Sequence, residues 1–524
     1  MRDSGEGQFH LLLVETGGNQ AYIFETARLR EAIGGSQIVF EVAQRGEGEA
    51  RERGGHCVMR ASGKGAWLFA DASSARATLE ALSFWAAENG PGLDLCGVVV
   101  PHGGDLRATL RRAWAELEVQ RGVRMRPELR HRLLPWNQPC DHSGLPVVHE
   151  GRNPREWLEQ DKWLSAPVRA RRRRSTVEAA RKRIEERLEG GYLLDWRLEE
   201  ESEGGLGWDW LAIVHADGNG LGRVFLGLDA VVEQLHGQGE YRDESREVVS
   251  QAFSEALEDA TWRAFRVALD EVARALQGLR LPVYPLLVGG DDLALICRGD
   301  LGLLVASRYL EAFERETSSD GRIRAVRKAA LGSLPGLPDP DHQGFRACAG
   351  VAIVKPHFPF SMAYQLAEKL CASAKDSVRQ TGGSALDWHA VLDASPPTLE
   401  TTRARLHSAD GRSLTRRPYL VGTPPQAAAG PHFAGVGKAV RRLRSEADGD
   451  RQLPSGPMHA LRKALFLSTG ECAREVAMLR SRLGDAFDEF LLACGATGGT
   501  PWDSSLRSGC IDAIDHQNFF TGLA

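Results

Sequence analysis

Three acidic residues stand where strand-like runs end. Asp217 follows the apolar run Leu211 to Val214, and Asp291 and Asp292 follow Gly289 and Gly290 inside a second apolar stretch, 283–296. Carboxylates gathered from two strand ends make a hard oxygen site of the kind that holds Mg²⁺ or Mn²⁺. Two such ions roughly 3.5–4 Å apart can clamp the attacking and leaving oxygens of a phosphoryl displacement. Gly289 and Gly290 lack a Cβ, so they permit a tight turn and let a nucleotide come close to the backbone. A Gly-Gly-Asp-Asp run alone is often only a polar turn. Asp217, at the end of another strand, is what makes it a candidate site.

The elements that position these acids occur twice. Val14-Glu-Thr-Gly-Gly-Asn-Gln-Ala-Tyr-Ile-Phe24 is similar to Val214-His-Ala-Asp-Gly-Asn-Gly-Leu-Gly-Arg-Val-Phe225, with Gly18-Asn19 matching Gly218-Asn219. A strand–turn–strand unit follows in each, 57–70 and 283–296. An amphipathic helix comes next, Ala75 to Glu88 and Leu303 to Arg315. A final strand, Cys96 to His102 and Ala349 to His357, leads into a further helix, Leu106 to Gln120 and Ser361 to Ser373. The order β-α-β-β-α-β is that of a ferredoxin-like unit, in which the first and third strands are central neighbours. Asp217 and the 289–292 turn would then meet at one sheet rim. The fold class expected is α+β, with two ferredoxin-like domains and a helical C-terminal part.

The first copy has Gly17 at the place of Asp217, and aligning the two hairpins puts Gly65 and Ala66 at the places of Asp291 and Asp292. The first copy would be degenerate. The expected divisions are 1–121 for the first domain, 122–207 for a linker or insert, 208–395 for the second domain, and 396–524 for a Pro/Gly/Ala-rich linker with C-terminal helices. Within the insert lie a charged helix, Val177 to Leu188, and Arg169 and Arg171 to Arg174, either a phosphate-contacting run or a solvated face. Cys140, His142 and His131 are spaced too irregularly to read as zinc ligands. His215 and His389, and Trp208, Trp210 and Trp388, are either nucleotide neighbours or packing residues.

Composition narrows the class. The 524 residues carry a net charge of −5 and 42% hydrophobic residues, enough for real cores and far from a cationic nucleic-acid coat. No apolar run approaches the roughly 18 residues of a membrane span, and no signal peptide is evident at residues 1–8, so a cytoplasmic chain without a membrane partner is expected. Nine cysteines contain no C-x-x-C pair, which disfavours a disulfide framework or a cysteine-rich zinc site.

These residues resemble those of the large Palm-domain subunit of type III CRISPR effector complexes, the cyclic oligoadenylate synthetases. The likeness runs over roughly 9–393. It includes Gln20 to Ser36, Ala349-Gly-Val-Ala-Ile-Val-Lys-Pro-His-Phe-Pro359, the helix through Ala374-Lys375, and Ser384-Ala-Leu-Asp-Trp-His389. The resemblance implies two Palm domains, one degenerate and one with Gly-Gly-Asp-Asp. It implies ATP as substrate, with the 3′-hydroxyl of one nucleotide attacking the α-phosphate of another and releasing pyrophosphate. Likeness to GGDEF-type cyclases implies Asp217, the Gly218 carbonyl and Asp291 as metal ligands, with Asp292 a weaker candidate. Gly218, Asn219, Gly289, Gly290 and Lys375 would bind the nucleotide, Lys375 being preferred to Lys369 for the phosphates. Partners implied are other effector subunits with guide RNA and target RNA.

The sequence departs from the family in having no His-Asp dipeptide and a first Palm strand close to residue 1, so no HD-type nuclease activity is expected. The family's cysteine cluster between the Palms is not matched. Two alternatives stay open on sequence alone: a stand-alone defence cyclase making a cyclic dinucleotide, and an inactive Palm scaffold that binds nucleotide or partner subunits.

Overall fold

The structure, a computed structural model, describes residues 9–24, 26, 28–61, 63–125, 133–148, 163–174, 184, 188, 191–194, 209–239, 246–337, 340–392, 398–423, 430–444 and 453–523. It is a mixed α/β architecture with several sheets. The chain divides into two compact units. One comprises Met1–Arg183, Glu244–Gln251 and Pro359–Ser361, and the other Ile184–Asp243, Ala252–Phe358 and Met362–Ala524.

In the first unit, strands β1 (His10–Gly17), β2 (His56–Ala61), β3 (Lys64–Phe69) and β4 (Asp94–Pro101) form an antiparallel sheet in the order β2-β3-β1-β4. Residues 11–14 are buried without interruption because β1 is central, with β3 and β4 on its flanks. Leu11 and Leu13 face Leu110, Ala113 and Leu117 of the helix Leu106–Val123 in one apolar cluster. Asp71 and Asp105 cap the helices Ala72–Asn89 and Leu106–Val123, accepting from the backbone amides of Ser74 and Ala108.

The second unit holds β5 (Leu193–Leu194), β6 (Leu211–Gly218), β7 (Arg280–Leu281), β8 (Val283–Gly289), β9 (Asp292–Arg298), β10 (Ala347–Val354), β11 (Ser384–Ala390) and β12 (Tyr419–Val421). Strands β5 and β7 pair by themselves, and the others form one sheet, β12-β11-β10-β6-β9-β8. Its β8-β9-β6-β10 part repeats the order of the first sheet, strand for strand, and the helix Gly302–Ser319 follows β9 as Ala72–Asn89 follows β3.

Strand β6 is covered on both faces. Ala212 and Val351 lie where a Cβ on Gly302 would fall, so that face packs on Gly302–Ser319. A Cβ on Gly350 would collide with the Ala367 carbonyl and the Cys371 amide, so the opposite face packs on the helix Phe360–Val378. Gly350 pairs with His215, and Cys348 with Asp217. Cross-strand partners share a face, which puts His215 and Asp217 under Phe360–Val378.

Strands β11 and β12 go beyond the repeat. β11 runs parallel to β10, and β12 lies antiparallel to β11 within the stretch expected to be a linker. The C-terminal part holds the helices Ser455–Leu465, Thr469–Leu483 and Asp485–Ala493. Phe520 and Phe433 pack around the buried Trp388 of β11. Asp512, fully buried, pairs with Arg417 at 2.9 Å and accepts from the Tyr419 hydroxyl at 2.9 Å. Among the described residues no helix is long and apolar enough to cross a membrane. Most of the charged helix expected over Val177 to Leu188 lies outside the described residues.

Candidate metal and nucleotide site

The β6–β9 ladder ends with Ala216 opposite Leu293, which sets Asp217 beside Asp292 at the sheet rim. The β8–β9 hairpin closes with Gly289 opposite Asp292, leaving Gly290 and Asp291 as its tip. Gly290 has φ +62°, the left-handed region that favours glycine. The Thr261 hydroxyl donates to the Gly290 carbonyl at 2.6 Å, pinning the tip. Asp217, Asp291 and Asp292 each offer a carboxylate oxygen, and these lie within 4.8 Å of one another.

Gly218 is what allows this approach. A Cβ there would stand 2.9 Å from the Asp291 Cβ and collide with the Leu221 side chain. Gly289 is different: a Cβ on it would meet nothing within 4 Å, so its face is open.

Helix Phe360–Val378 brings the cation. Lys375 Nζ lies 2.5 Å from Asp217 Oδ2 and donates to the Gly218 carbonyl at 3.0 Å. Burial works against its charge, but Asp217 more than compensates and holds its pKa above the usual lysine value. Lys369, on the same helix, is exposed and takes no part.

Burial, then Asp217, raises the Asp291 carboxyl to about 6. Burial, then Asp291 and Asp217, raises Asp292 to about 8. The cluster thus holds more negative charge than Lys375 neutralises. The donor set, all oxygen and short of positive charge, fits a hard divalent cation.

Asn219 is fixed from both ends: its amide donates to the Arg346 carbonyl at 2.7 Å and its Nδ2 to the Gly383 carbonyl at 2.9 Å. A small pocket beside it is lined by Arg327, His342, Phe345 and Arg346.

Among the described residues the first sheet has no such cluster at the matching rim. Glu15 pairs with Lys64 at 2.6 Å and Arg121 at 2.7 Å. Arg121 reaches the rim from the helix after β4, as Lys375 does from the helix after β10. A Cβ on Gly17 would lie 2.9 Å from Asp94 Oδ2 and 3.5 Å from Arg121 Nε. The glycine-based hairpin alignment needs correction. Gly65 pairs with Val14 and Ala66 with Leu13, well inside the sheet, so neither is the counterpart of Asp291 or Asp292. The first hairpin turns near Gly63, at φ +70°, whose carbonyl accepts from Thr16.

Several of the lesser sequence candidates have partners within the fold. Arg171 is buried, 4.4 Å over the Tyr22 ring, and its carbonyl lies where a Cβ on Gly34 would fall. Arg172 and His142 both bind the fully buried Glu31, at 3.1 and 2.5 Å. Arg174 pairs with Glu41 at 3.2 Å. Cys140 is buried in an apolar cluster, and His131 lies outside the described residues. His215 packs edge-on against Tyr364, and burial lowers its pKa to about 4. Burial, then Arg417 and Arg403, lowers His389 to about 3. Trp388 is core, Trp210 stacks edge-on with Phe519, and Trp208 lies outside the described residues.

Sequence reasoning missed Thr261, Tyr364 and Glu368. Tyr364 and Glu368, on one helical face with Lys375 at i, i+4 and i+11, carried a periodic signal that could have found them; Thr261 carried none.

Comparison with protein families finds no match, nor does comparison with curated protein sequences. Solved structures do match. A Csm1-Csm4 cassette in complex with cA4 superposes with TM-score 0.52 at 13% identity, over 98% of this chain and 70% of the neighbour. A cassette in complex with pppApApA gives 0.52 at 14%, over 98% and 70%. One in complex with one ATP gives 0.50 at 14%, over 99% and 70%. Over nearly its whole length this chain has the fold of these Csm1-Csm4 cassette structures.

Proposed function

We propose that this chain is a metal-dependent nucleotidyl cyclase or polymerase that joins ATP into cyclic oligoadenylate, working in a type III CRISPR-like antiviral assembly. The observation that carries the reading is the convergence of Asp217, Asp291 and Asp292, with Lys375 against them, at one sheet rim. The fold likeness supports it, since the cassettes of that fold are described with ATP, pppApApA and cA4. The two matching sheets are read as two Palm domains. The second carries the Gly-Gly-Asp-Asp site, and the first is degenerate, its rim filled by Glu15, Lys64 and Arg121.

Asp217, Asp291, Asp292 and the Gly218 carbonyl would hold Mg²⁺ or Mn²⁺. Bound divalent cations supply positive charge at the attacking and leaving oxygens of the displacement. The protein's own part is positioning. The Thr261 hydroxyl fixes the hairpin tip, and Gly218 lets Asp291 close on Asp217. The open face of Gly289 leaves room for the nucleotide. Lys375, which reaches Asp217 and the Gly218 carbonyl, would meet the β/γ-phosphates as a point charge. The 3′-hydroxyl of one nucleotide attacks the α-phosphorus of another, the bond to pyrophosphate breaks, and the hydroxyl proton leaves to a base or water. Partner subunits with guide RNA and target RNA, and a cytoplasmic setting, belong to this proposal.

Incubating the protein with ATP and Mg²⁺, with and without Csm4-type partner, guide and target, and resolving products by mass tests it. Cyclic oligoadenylate lost in Asp291→Asn is expected. Product with no partner would point to the stand-alone enzyme. Absence of product in every condition, with Asp291→Asn indistinguishable from wild type in ATP binding, would leave only the scaffold.

A further inference from the structure

Helix Phe360–Val378 carries a second acidic group toward the same site. Tyr364, Cys371 and Lys375 fall on the face that meets the sheet, since each contacts it. The Tyr364 hydroxyl lies 3.4 Å from His215 Nδ1, the Cys371 thiol donates to the Cys348 carbonyl of β10, and Lys375 binds Asp217. At about 100° per residue, Glu368 sits on that face too, rotated from Cys371 by about 60°. Cys371 meets β10, and Glu368 lies on the side of it turned away from that contact. Its carboxylate is close enough to Asp292 to help raise that group. Tyr364 donates a hydrogen bond to Glu368, and its oxygen faces His215. The side chain is therefore held in place and half-buried.

A carboxylate accepts hydrogen bonds and donates none. Opposite negatively charged phosphates it would repel, so the part of a nucleotide that it meets must be a hydrogen-bond donor. Lys375, which marks the phosphate end, lies seven residues on, about 10 Å along the helix axis. That offset suits the other end of a nucleotide, where the ribose hydroxyls are vicinal donors.

We propose that Glu368 is the residue that binds the ribose hydroxyls of the nucleotide, making the site selective for ribonucleotides over deoxyribonucleotides, with Tyr364 as its positioning residue. The inference rests on the nucleotide reading of the aspartate site. A hydrogen bond to a charged group corresponds to roughly a ten- to hundredfold difference in affinity.

The test is equilibrium binding of ATP, 2′-deoxy-ATP and 3′-deoxy-ATP, with Mn²⁺, to wild type, Glu368→Gln, Glu368→Ala and Tyr364→Phe. Wild type should bind ATP about ten- to a hundredfold more tightly than at least one deoxy form. Glu368→Ala should lose that preference by weakening ATP while leaving the deoxy form unmoved. Glu368→Gln, which keeps the shape, should fall between, and Tyr364→Phe should narrow the preference without changing Mn²⁺ affinity. Variants that weaken all three nucleotides equally, or none, would overturn the inference while the aspartate site stands. Wild type that binds no nucleotide would remove both.

Discussion

At the scale of single residues, the site depends on glycines as much as on acids. Gly218→Ala would press a methyl group on Asp291 at 2.9 Å and on Leu221. The expected outcome is a fold destabilised by about 1–3 kcal/mol, as for an overpacked site, with divalent affinity falling more than tenfold, measured by Mn²⁺ titration. Gly289→Ala, whose Cβ has open space, should leave thermal stability unchanged and weaken nucleotide binding alone. Lys375→Met should behave differently again. It removes the only cation paired with Asp217 among the described residues, so ATP affinity should drop while the cation-free cluster takes on protons more readily.

Among elements, the strand and helix order of both sheets was readable from the chain because central strands such as β1 and β6 carry an unbroken apolar run, residues 11–14 and 211–214, and end in glycine. Residues Leu303 to Arg315 and Ser361 to Ser373 show helical spacing for the same reason. The extension of the second sheet was harder to see. β11 buries Asp387 completely, against the grain of a strand core, and its partners beyond the strand explain it: Ser373 at 2.8 Å and Arg403. β12 is three residues long and sits in a Pro/Gly/Ala-rich stretch, too short for a periodic signal. The arginine run was ambiguous for a similar reason. Glu31, Glu41 and Tyr22 are more than a hundred residues away along the chain, so nothing local tells a paired arginine from a solvated one. Matching glycines misaligned the hairpins, because a glycine inside a strand and a glycine in a turn look alike in one dimension. At this scale the buried Arg417–Asp512 pair ties the C-terminal segment to the second sheet. Asp512→Ala would strand a fully buried guanidinium, and chemical denaturation should show a loss of about 3–5 kcal/mol.

For the whole molecule, two sheets of one topology carry opposite chemistry. In the first, one carboxylate, Glu15, is paired with two cations, Lys64 and Arg121. In the second, three carboxylates face one lysine. The titration of that excess has a definite sign. Asp291 and Asp292 bind protons up to about 6 and 8 in the cation-free fold, above the usual aspartate value. The folded state therefore binds more protons than the unfolded one across that window, and its stability falls as pH rises through it. A divalent cation binds the deprotonated form and reverses the loss. Thermal unfolding should show little stabilisation by Mg²⁺ near about pH 5 and a clear one near about pH 8 to 9. Asp291→Asn should flatten this dependence. Glu15→Gln, in the first sheet, should lower stability and leave it intact.

Direct titration of Mn²⁺ into the protein, read by calorimetry at neutral pH, bears most closely on the aspartate site. Saturable binding to wild type, lost or weakened at least a hundredfold in both Asp217→Asn and Asp291→Asn while their fold persists, is the expected result. Equal Mn²⁺ affinity in wild type and both variants would contradict it.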